Sequence, residues 1–142
     1  MADVTGLSAL AQKVLSDQPF SVLIGTELAS IGEGQAELVI PIKRELCQQH
    51  GFVHGGVVSY AADNCITFAG GSVLGDAVVT AEFKISYVRP ATGVKLRARA
   101  RVVGRGKRQA VCSCEILCED AAGDAKLCAI ALGTVSAIEP RG

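Results

Sequence analysis

The stretch that decides the fold is residues 54–71, HGGVVSYAADNCITFAGG. A His-Gly-Gly is followed by an apolar, alanine-rich block that ends in a second pair of glycines. The length and the alanine content of this block favour a helix over a buried strand. Because apolar residues occur on nearly every side of it, we expect the helix, Gly55–Gly71, to be wrapped by other elements.

One face of this predicted helix is polar. Tyr60, Asp63, Asn64 and Thr67 fall at positions i, i+3, i+4 and i+7, which share a face. A buried carboxylate must be paired or neutralised, and such groups are frequent at active sites because burial raises their basicity. Asp63 is therefore either a catalytic carboxylate or a contact between two copies, bonded to Asn64 or Ser59 of the second copy.

The glycine pair at the start of the helix is the second candidate. The first N–H groups of a helix lack intrahelical acceptors and lie at the positive end of its dipole, which suits an oxyanion or a polarised carbonyl oxygen. Glycine also lets a ligand approach the backbone closely. Gly55 and Gly56 are therefore either a donor site or only a tight entry turn.

Strands are predicted both before and after the central helix in the sequence. The periodicity predicts an amphipathic helix over Gly6–Leu15, ended by Pro19. Two strands are predicted near Val22–Ile31 and Gln35–Lys43, joined by a turn at residues 32–34.

Four strands are predicted after the central helix, near Val79–Tyr87, Val94–Val102, Gln109–Glu119 and Ala125–Ile138. In the first of them, the odd-numbered apolar side chains are expected on one face and Thr80 with its even-numbered neighbours on the other. Neighbouring hairpin strands pair antiparallel, so the order predicts an α+β domain in which a sheet curls around the helix.

Composition excludes several classes of function. The 14 basic and 14 acidic residues balance, which gives no field attracting nucleic acid or an acidic membrane. No apolar run reaches the roughly 20 residues that span a bilayer. The N-terminus carries Asp3 and no basic start, so we expect no signal peptide and a soluble cytoplasmic protein.

The six cysteines do not form the framework of a disulfide-rich domain. Cys112, Cys114 and Cys118 share one face of a predicted strand, and the cysteines are interpreted as small buried hydrophobes in a reducing compartment. Cys47, His50 and His54 have a spacing that suits a metal, but a fourth ligand is missing, so no metal site is predicted. The turn at residues 104–108 lacks the pattern of a Walker A loop, although Lys107 and Arg108 can present cations to a phosphate.

A family resemblance follows from these motifs. His54-Gly55-Gly56, the acidic Asp63 nine positions after the histidine, the strand Thr80–Pro90 and Gly106-Lys107 resemble the hotdog-fold acyl-CoA thioesterase superfamily. The similarity is greatest to the phenylacetate-pathway (phenylacetyl-CoA) thioesterase type, and it covers about Phe20 to Ile138.

The resemblance implies one hotdog thioesterase domain over residues 1–142, with an N-terminal helix at about 5–17 and a core at about 20–138. Its fold is a curved antiparallel sheet wrapped around one long central helix. It implies homodimers with shared active sites, in which one copy supplies the helix start and the other the acid, and homotetramers built from them. The substrate is an acyl-CoA, and no cofactor is implied because coenzyme A is part of the substrate.

The resemblance also assigns roles to residues. Asp63 would act as general base or nucleophile, and the Gly55 N–H would polarise the thioester carbonyl. His54 would shape the loop, Thr80 would position water, and Gln48 stands where the family often has Asn. The residues implied to bind substrate are Gly56, Asn64, Arg89, Lys107 and Arg108, the last three at the nucleotide end of coenzyme A.

The sequence is also compatible with other functions and other carriers of the acyl group. The Gln48 substitution also fits a non-catalytic acyl-CoA-binding or regulatory hotdog domain. A hotdog dehydratase would require an Asp and a His both at the substrate, whereas His54 lies in a loop. An acyl-carrier protein is an alternative carrier to coenzyme A. Small side chains at Ala61, Ala62 and Ala69 are expected to leave room for an aryl or medium-chain acyl group.

Overall fold

A computed structural model describes residues 4–138, with side chains from Gly6 onward. Residues 4–138 form three α-helices and six strands, with a 3-10 turn at Arg44–Leu46 between the second strand and the third helix. The helices are α1 Val4–Ser16, α2 Pro19–Ile24 and α3 Gly55–Leu74. The strands are β1 Glu27–Gly32, β2 Gln35–Pro41, β3 Val78–Tyr87, β4 Lys95–Arg105, β5 Gln109–Glu119 and β6 Ala125–Ala137.

The six strands form one antiparallel sheet in the order β1-β2-β4-β5-β6-β3. The sheet wraps α3, which confirms the predicted α+β hotdog architecture of a curved sheet around one long helix. In the described part of the chain, no helix has the length and apolarity needed to cross a bilayer.

Small side chains let α3 lie close to the sheet. Ala61, Ala62 and Ala69 are at most 1% exposed, and a Cβ added at Gly70 would lie 2.8 Å from the Cβ of Val135 on β6. The three alanines are therefore packed into the core against the sheet. The expectation that they leave room for an acyl group is wrong, because the sheet fills that side of the helix.

The N-terminal region differs from the prediction. Pro19 does not only end α1; it begins α2, since proline suits the first turn of a helix, where its missing N–H is not needed. Val22 is therefore helical, and the predicted strand begins only at Glu27, after Gly25 ends α2 with a φ of 89°. The amphipathic helix and the turn at residues 32–34 are confirmed.

A β-bulge in β3 overturns the predicted alternation at its start. Thr80 pairs with Val135 and Glu82 with Thr134, so Ala81 is an extra residue in the ladder. Before the bulge Thr80 faces inward and Val79 is exposed, whereas after it Phe83 packs against the core. An inserted residue reverses the faces of a strand, which pure alternation does not anticipate.

All six cysteines are free thiols, and five of them are buried, as the sequence predicted. Cys112, Cys114 and Cys118 lie on the inner face of β5. Burial raises the pKa of Cys112 to about 11 and that of Cys128 to about 12. Because the thiolate is the reactive form, these groups are inert near neutral pH.

The charged row on β4 lies on the outer face of the sheet and is paired with acids of neighbouring strands. Arg97 Nε donates to Glu119 Oε1 at 2.5 Å, and Arg99 Nε donates to Glu37 Oε1 at 2.6 Å. The hydrogen bond from Arg97 lowers the pKa of Glu119. This face is thus a cross-strand network of ion pairs.

The close approach at Gly70 predicts a large effect of a small substitution. We expect Gly70→Ala to lower the free energy of unfolding by about 1–3 kcal/mol, because the new methyl group overlaps Val135. Gly71→Ala is the matched control, since its Cβ would meet only Val78 Cγ2 at 3.5 Å, an ordinary contact. Urea unfolding of both variants measures the difference, and equal stabilities would contradict the packing described.

The Arg97–Glu119 pair predicts a dependence of stability on pH. A glutamate whose pKa is lowered in the folded state contributes stability above its unfolded pKa of about 4.3, and this contribution is lost as pH falls through the folded pKa. We expect Glu119→Gln to lower the free energy of unfolding by about 0.5–1 kcal/mol at pH 7, and by less at pH 3. Urea unfolding at both pH values measures this.

The control for that experiment is Glu115→Gln. Glu115 is on the same strand and is exposed, and it forms no ion pair with any described residue. A pH-independent loss in Glu119→Gln, or the same loss in Glu115→Gln, would mean that the ion pair is not its source.

Candidate active site

Asp63 lies on the face of α3 that the sheet leaves open, and its side chain is half-buried rather than buried as predicted. Thr80 Oγ1 donates to Asp63 Oδ1 at 2.5 Å. Thr67 Oγ1 lies 2.8 Å from Thr80 Oγ1 and 2.9 Å from the Asp63 carbonyl oxygen. Since a hydroxyl has one proton, the Thr67 proton is shared between the Asp63 carbonyl oxygen and Thr80 Oγ1 when Thr80 donates to Asp63 Oδ1.

The two oxygens of the Asp63 carboxylate therefore differ. Oδ1 is held by Thr80, and Oδ2 has no donor among residues 6–138. The bulge in β3 makes this possible, because without it Thr80 would point to the outer face. The result is a carboxylate with a fixed orientation and one oxygen available to water or a ligand.

The side chains considered as alternative partners of Asp63 are engaged within their own chain. Asn64 Nδ2 donates to Tyr60 Oη at 3.1 Å and to Ser21 Oγ at 3.3 Å. Ser59 Oγ is hydrogen-bonded to Tyr87 Oη. These bonds leave Asn64 and Ser59 with fewer hydrogen-bond donors for the carboxylate of a second copy. They also make Asn64 part of a polar network with α2.

His54 caps the start of α3. Its carbonyl oxygen accepts the N–H groups of Val57 at 2.9 Å and Val58 at 3.3 Å, and its Nδ1 accepts the N–H of Gly56 at 2.8 Å. In a neutral ring that accepts at Nδ1, the proton is on Nε2. Among the first four N–H groups of α3, only that of Gly55 has no acceptor within the described residues.

The two glycines consequently have different tasks. A Cβ on Gly56 would lie 2.9 Å from His54 Nδ1, so glycine at this position lets the histidine fold back onto the helix. The Gly56 N–H is donated to His54, so this residue has a capping task, and its contact with substrate stays a prediction. Gly55 packs against Tyr87, whose hydroxyl donates to the Gly55 carbonyl oxygen at 3.1 Å.

Gln48 lies in the loop before α3 and stabilises a turn. Its N–H donates to the Phe52 carbonyl oxygen at 2.8 Å, and its Oε1 accepts the N–H of His50. Gln48, Gly55 and Arg89 line one groove of about 410 Å³, together with Tyr87. The structure therefore brings these three predicted site residues together beside the unpaired Gly55 N–H.

The remaining site residues are separated from that groove within one chain. Asp63 follows Gly55 by eight residues of the same helix, which corresponds to about 12 Å. Lys107 and Arg108 lie at the β4–β5 turn, where the Arg108 carbonyl oxygen accepts the N–H of Ala137. The N–H of Arg89 instead bonds to Cys128, at the other end of β6, about 30 Å away along the strand.

Sequence reasoning missed Tyr87 and Ser21 as parts of this region. Ser21 is 1% exposed, donates to Gln18 Oε1 and accepts the hydroxyl of Tyr60 at 2.5 Å. A single serine inside the apolar segment PFSVLI was a usable signal, since buried polar groups need partners. For Tyr87 the sequence offered no signal beyond its place at a strand end.

Metal ligation finds no support in the arrangement of side chains. Within residues 4–138, no three His, Cys, Asp or Glu side chains are placed to share a metal ion. Cys47 Sγ donates to the Lys43 carbonyl oxygen at 3.6 Å, and His54 is used as the helix cap.

The sequence of the chain is similar to those of known proteins. The sequence profile of the thioesterase superfamily matches residues 50–124, just over half of the chain. A provisionally named esterase of Saccharolobus solfataricus is 33% identical over 125 residues, which are 86% of this chain and 79% of that protein.

Solved structures share the fold over nearly the whole chain. A thioesterase family protein from Silicibacter pomeroyi superposes with a TM-score of 0.89 at 29% identity, covering 94% of this chain and 99% of that one. The PaaI protein from the phenylacetic acid degradation operon of E. coli has a TM-score of 0.84 at 22% identity, covering 97% of each chain. The chain therefore belongs to the thioesterase superfamily and is a thioester hydrolase.

Proposed function

We propose that the protein is an acyl-CoA thioesterase, which hydrolyses an acyl-CoA to a carboxylic acid and free coenzyme A. The observation that carries this proposal is the Asp63 carboxylate, held through one oxygen by Thr80 and open at the other. A group in this state can accept a proton from water or attack a carbonyl carbon. The unpaired Gly55 N–H supplies the complementary donor for the carbonyl oxygen.

A complete site requires two copies of the chain. The roughly 12 Å between Gly55 and Asp63 along α3 is too far for both to contact one thioester. β3 is an edge strand of ten residues, and long edges favour pairing with another strand. Antiparallel pairing of β3 with β3 of a second copy about a two-fold axis brings the Thr80 end of one strand to the Tyr87 end of the other.

This homodimer would join the separate groups of site residues. Asp63 is bonded to Thr80, and Gly55 is bonded to Tyr87, so each carboxylate would face the helix start of the second copy. Lys107 and Arg108 lie at the same end of the sheet as Thr80, and would approach Arg89 of the second copy. Three cations near one site suit the phosphates of coenzyme A.

The chemistry follows from these positions. Asp63 accepts a proton from water as the water oxygen attacks the thioester carbonyl carbon, or its own oxygen attacks and water then cleaves the anhydride. The oxyanion that forms is stabilised by the Gly55 N–H, and the carbon–sulfur bond breaks to release the thiol of coenzyme A. His54 holds the donor loop by capping α3, and Gln48 lines the groove beside it.

Within this class we assign the protein to the phenylacetate-pathway type, which its HGG motif and spaced aspartate resemble. A homotetramer built from the dimer and a cytoplasmic location complete the proposal. The free cysteines support the location, since unpaired thiols are usual in reducing compartments. The likeness to PaaI of E. coli supports the fold only, because the identity is 22%.

A non-catalytic acyl-CoA-binding domain is the second candidate. It is favoured by Gln48, whose amide oxygen is committed to the turn at His50 rather than open to the groove. A dehydratase is disfavoured, because His54 Nδ1 is used as the helix cap and accepts the N–H of Gly56.

The role of Asp63 is tested by thiol release from phenylacetyl-CoA and other acyl-CoAs. We expect Asp63→Asn to lower kcat by about 10³-fold, since the amide is neither a base nor a nucleophile, and Thr80→Val to lower it by about tenfold. Asp124→Asn, at an exposed turn, is the matched control. A loss below tenfold in Asp63→Asn would exclude the proposed role, and binding without turnover in the wild type would favour the second candidate.

The role of the Gly55 N–H is tested with Gly55→Pro. Gly55 is the first helical residue, where proline is tolerated, and the φ of −58° and ψ of 135° at His54 suit a residue before proline. We expect kcat to fall by about 10²–10³ because the N–H is removed, while Gly55→Ala, which keeps it, changes kcat by less than about tenfold.

Mixing the two defective variants tests the shared site. In an equimolar mixture of Gly55→Pro and Asp63→Asn copies, half of the dimers are mixed, and each mixed dimer has one intact site of two. We therefore expect recovery of about a quarter of the wild-type activity after subunit exchange. No recovery, with exchange verified by native mass spectrometry, would mean that each site is built from one copy.

A further inference from the structure

Tyr87, the last residue of β3, is bonded to the start of α3. Its hydroxyl donates to the Gly55 carbonyl oxygen at 3.1 Å and is also hydrogen-bonded to Ser59 Oγ. We propose that Tyr87 is a positioning residue for thioester hydrolysis, which holds the Gly55 N–H in the direction that the developing oxyanion requires. The proposal rests on the function proposed above and adds to it a residue that acts through Gly55.

The two peptide groups on either side of the Gly55 Cα are both held by hydrogen bonds. The first contains the Gly55 N–H and the His54 carbonyl, which accepts two N–H groups from the first turns of α3. The second contains the Gly55 carbonyl, held by Tyr87, and the Gly56 N–H, which is donated to His54 Nδ1. Because both peptide planes are fixed, rotation about both backbone bonds of Gly55 is restrained and its N–H keeps one direction.

The residue type at the donor position makes such restraint necessary. Glycine populates backbone angles that are closed to other residues, whereas a catalytic donor must be held within about 0.5 Å and 10–20° of its productive geometry. A Cβ at Gly55 would lie 3.6 Å from Tyr87 Oη and 3.7 Å from the ring atoms Cε1 and Cζ. The tyrosine ring therefore covers the side of Gly55 on which a side chain would begin, and restrains the glycine by contact as well as by hydrogen bonding.

The bond from Tyr87 is additional to the hydrogen bonds of the helix. Gly55 is the first residue of α3, and the carbonyl of a helical residue accepts the N–H four positions further on. A carbonyl oxygen has a second lone pair, which Tyr87 uses. The Tyr87 side chain is 53% exposed, so water is an available partner for its hydroxyl. Burial does not impose the bond to Gly55, and the effect of the bond is to fix the direction of that carbonyl.

Ser59 determines where the tyrosine proton lies. A carbonyl oxygen can only accept, so Tyr87 is the donor in its bond to Gly55. Since a tyrosine hydroxyl has one proton, Ser59 Oγ then donates to Tyr87 Oη. Hydrogen bonds in such a chain strengthen one another. The order of donation is thus from Ser59 to Tyr87 and from Tyr87 to the Gly55 carbonyl.

One strand holds both groups of the proposed reaction through hydroxyls. Near the start of β3, Thr80 donates to the carboxylate of Asp63, and at its end Tyr87 donates to the Gly55 carbonyl. Tyr87 therefore does for the oxyanion donor what Thr80 does for the carboxylate. In the homodimer proposed above, β3 is also the strand that pairs, so its pairing would set the position of both groups.

The test is Tyr87→Phe, which keeps the ring and removes only the hydroxyl. In the thiol-release assay we expect kcat to fall by about tenfold and KM to change by less than about threefold, because the direction of the donor matters in the transition state rather than in substrate binding. Ser86→Ala is the matched control, since Ser86 is the exposed neighbour on β3 and its hydroxyl is bonded to no described residue. An unchanged kcat in Tyr87→Phe would overturn the proposal.

A second background separates positioning from a general effect on the fold. In Gly55→Pro the N–H is absent, so there is no donor for Tyr87 to hold. We expect Tyr87→Phe to lower kcat by less than about twofold in this background, against about tenfold in the wild type. Equal losses in the two backgrounds would overturn the positioning role and leave the thioesterase function standing.

A measurement without substrate tests the inference even if no thioester is hydrolysed. In protein labelled with ¹⁵N-glycine, we expect the NMR order parameter of the Gly55 N–H to fall from about 0.85 in the wild type toward about 0.6 in Tyr87→Phe. Gly70, in the core, is the internal reference and should not change. A fall at Gly55 alone supports restraint of the donor by Tyr87, whereas an unchanged order parameter would overturn it whatever the activity of the protein.

Discussion

The close approach of α3 to the sheet at Gly70 and Val135 is the constraint on which the rest of the structure depends. Several positions on this side of the helix carry one carbon atom or none, among them Ala62, Ala69 and Gly70, so the sheet can approach the helix closely there. Because this face is fixed, the face with Asp63 and Thr67 is turned away from the centre of the sheet. The polar residues of the helix are thus positioned by the packing of its apolar side.

The second determinant is a change of register in β3. The extra residue at Ala81 rotates Thr80 toward α3, while Phe83 still reaches the core further along the strand. One strand therefore contributes a hydroxyl to a carboxylate and an aromatic ring to the interior. Bulges commonly re-aim single side chains next to functional sites, and this one has that geometry.

The sequence predicted the architecture because its signals were long and redundant. The block from Gly55 to Gly71 and the alternating segments after it each contain many residues that agree with one element. The prediction from sequence failed where one backbone angle or one extra residue decided the local structure. The helix begun by Pro19 and the bulge at Ala81 are of this kind, since neither changes the average pattern of its neighbours. The half-burial of Asp63 was also missed, because an apolar helix does not reveal which side its own sheet leaves open.

The capping of α3 by His54 has a consequence for the electronic state of the peptide that follows it. The His54 carbonyl accepts two N–H groups, from Val57 and Val58, and belongs to the same amide plane as the Gly55 N–H. Hydrogen bonds accepted by a carbonyl draw electron density from its nitrogen, and such chains strengthen one another by roughly 10–30% per bond. The Gly55 N–H is consequently a more acidic and stronger donor than an isolated amide, and its polarisation is set before any ligand arrives.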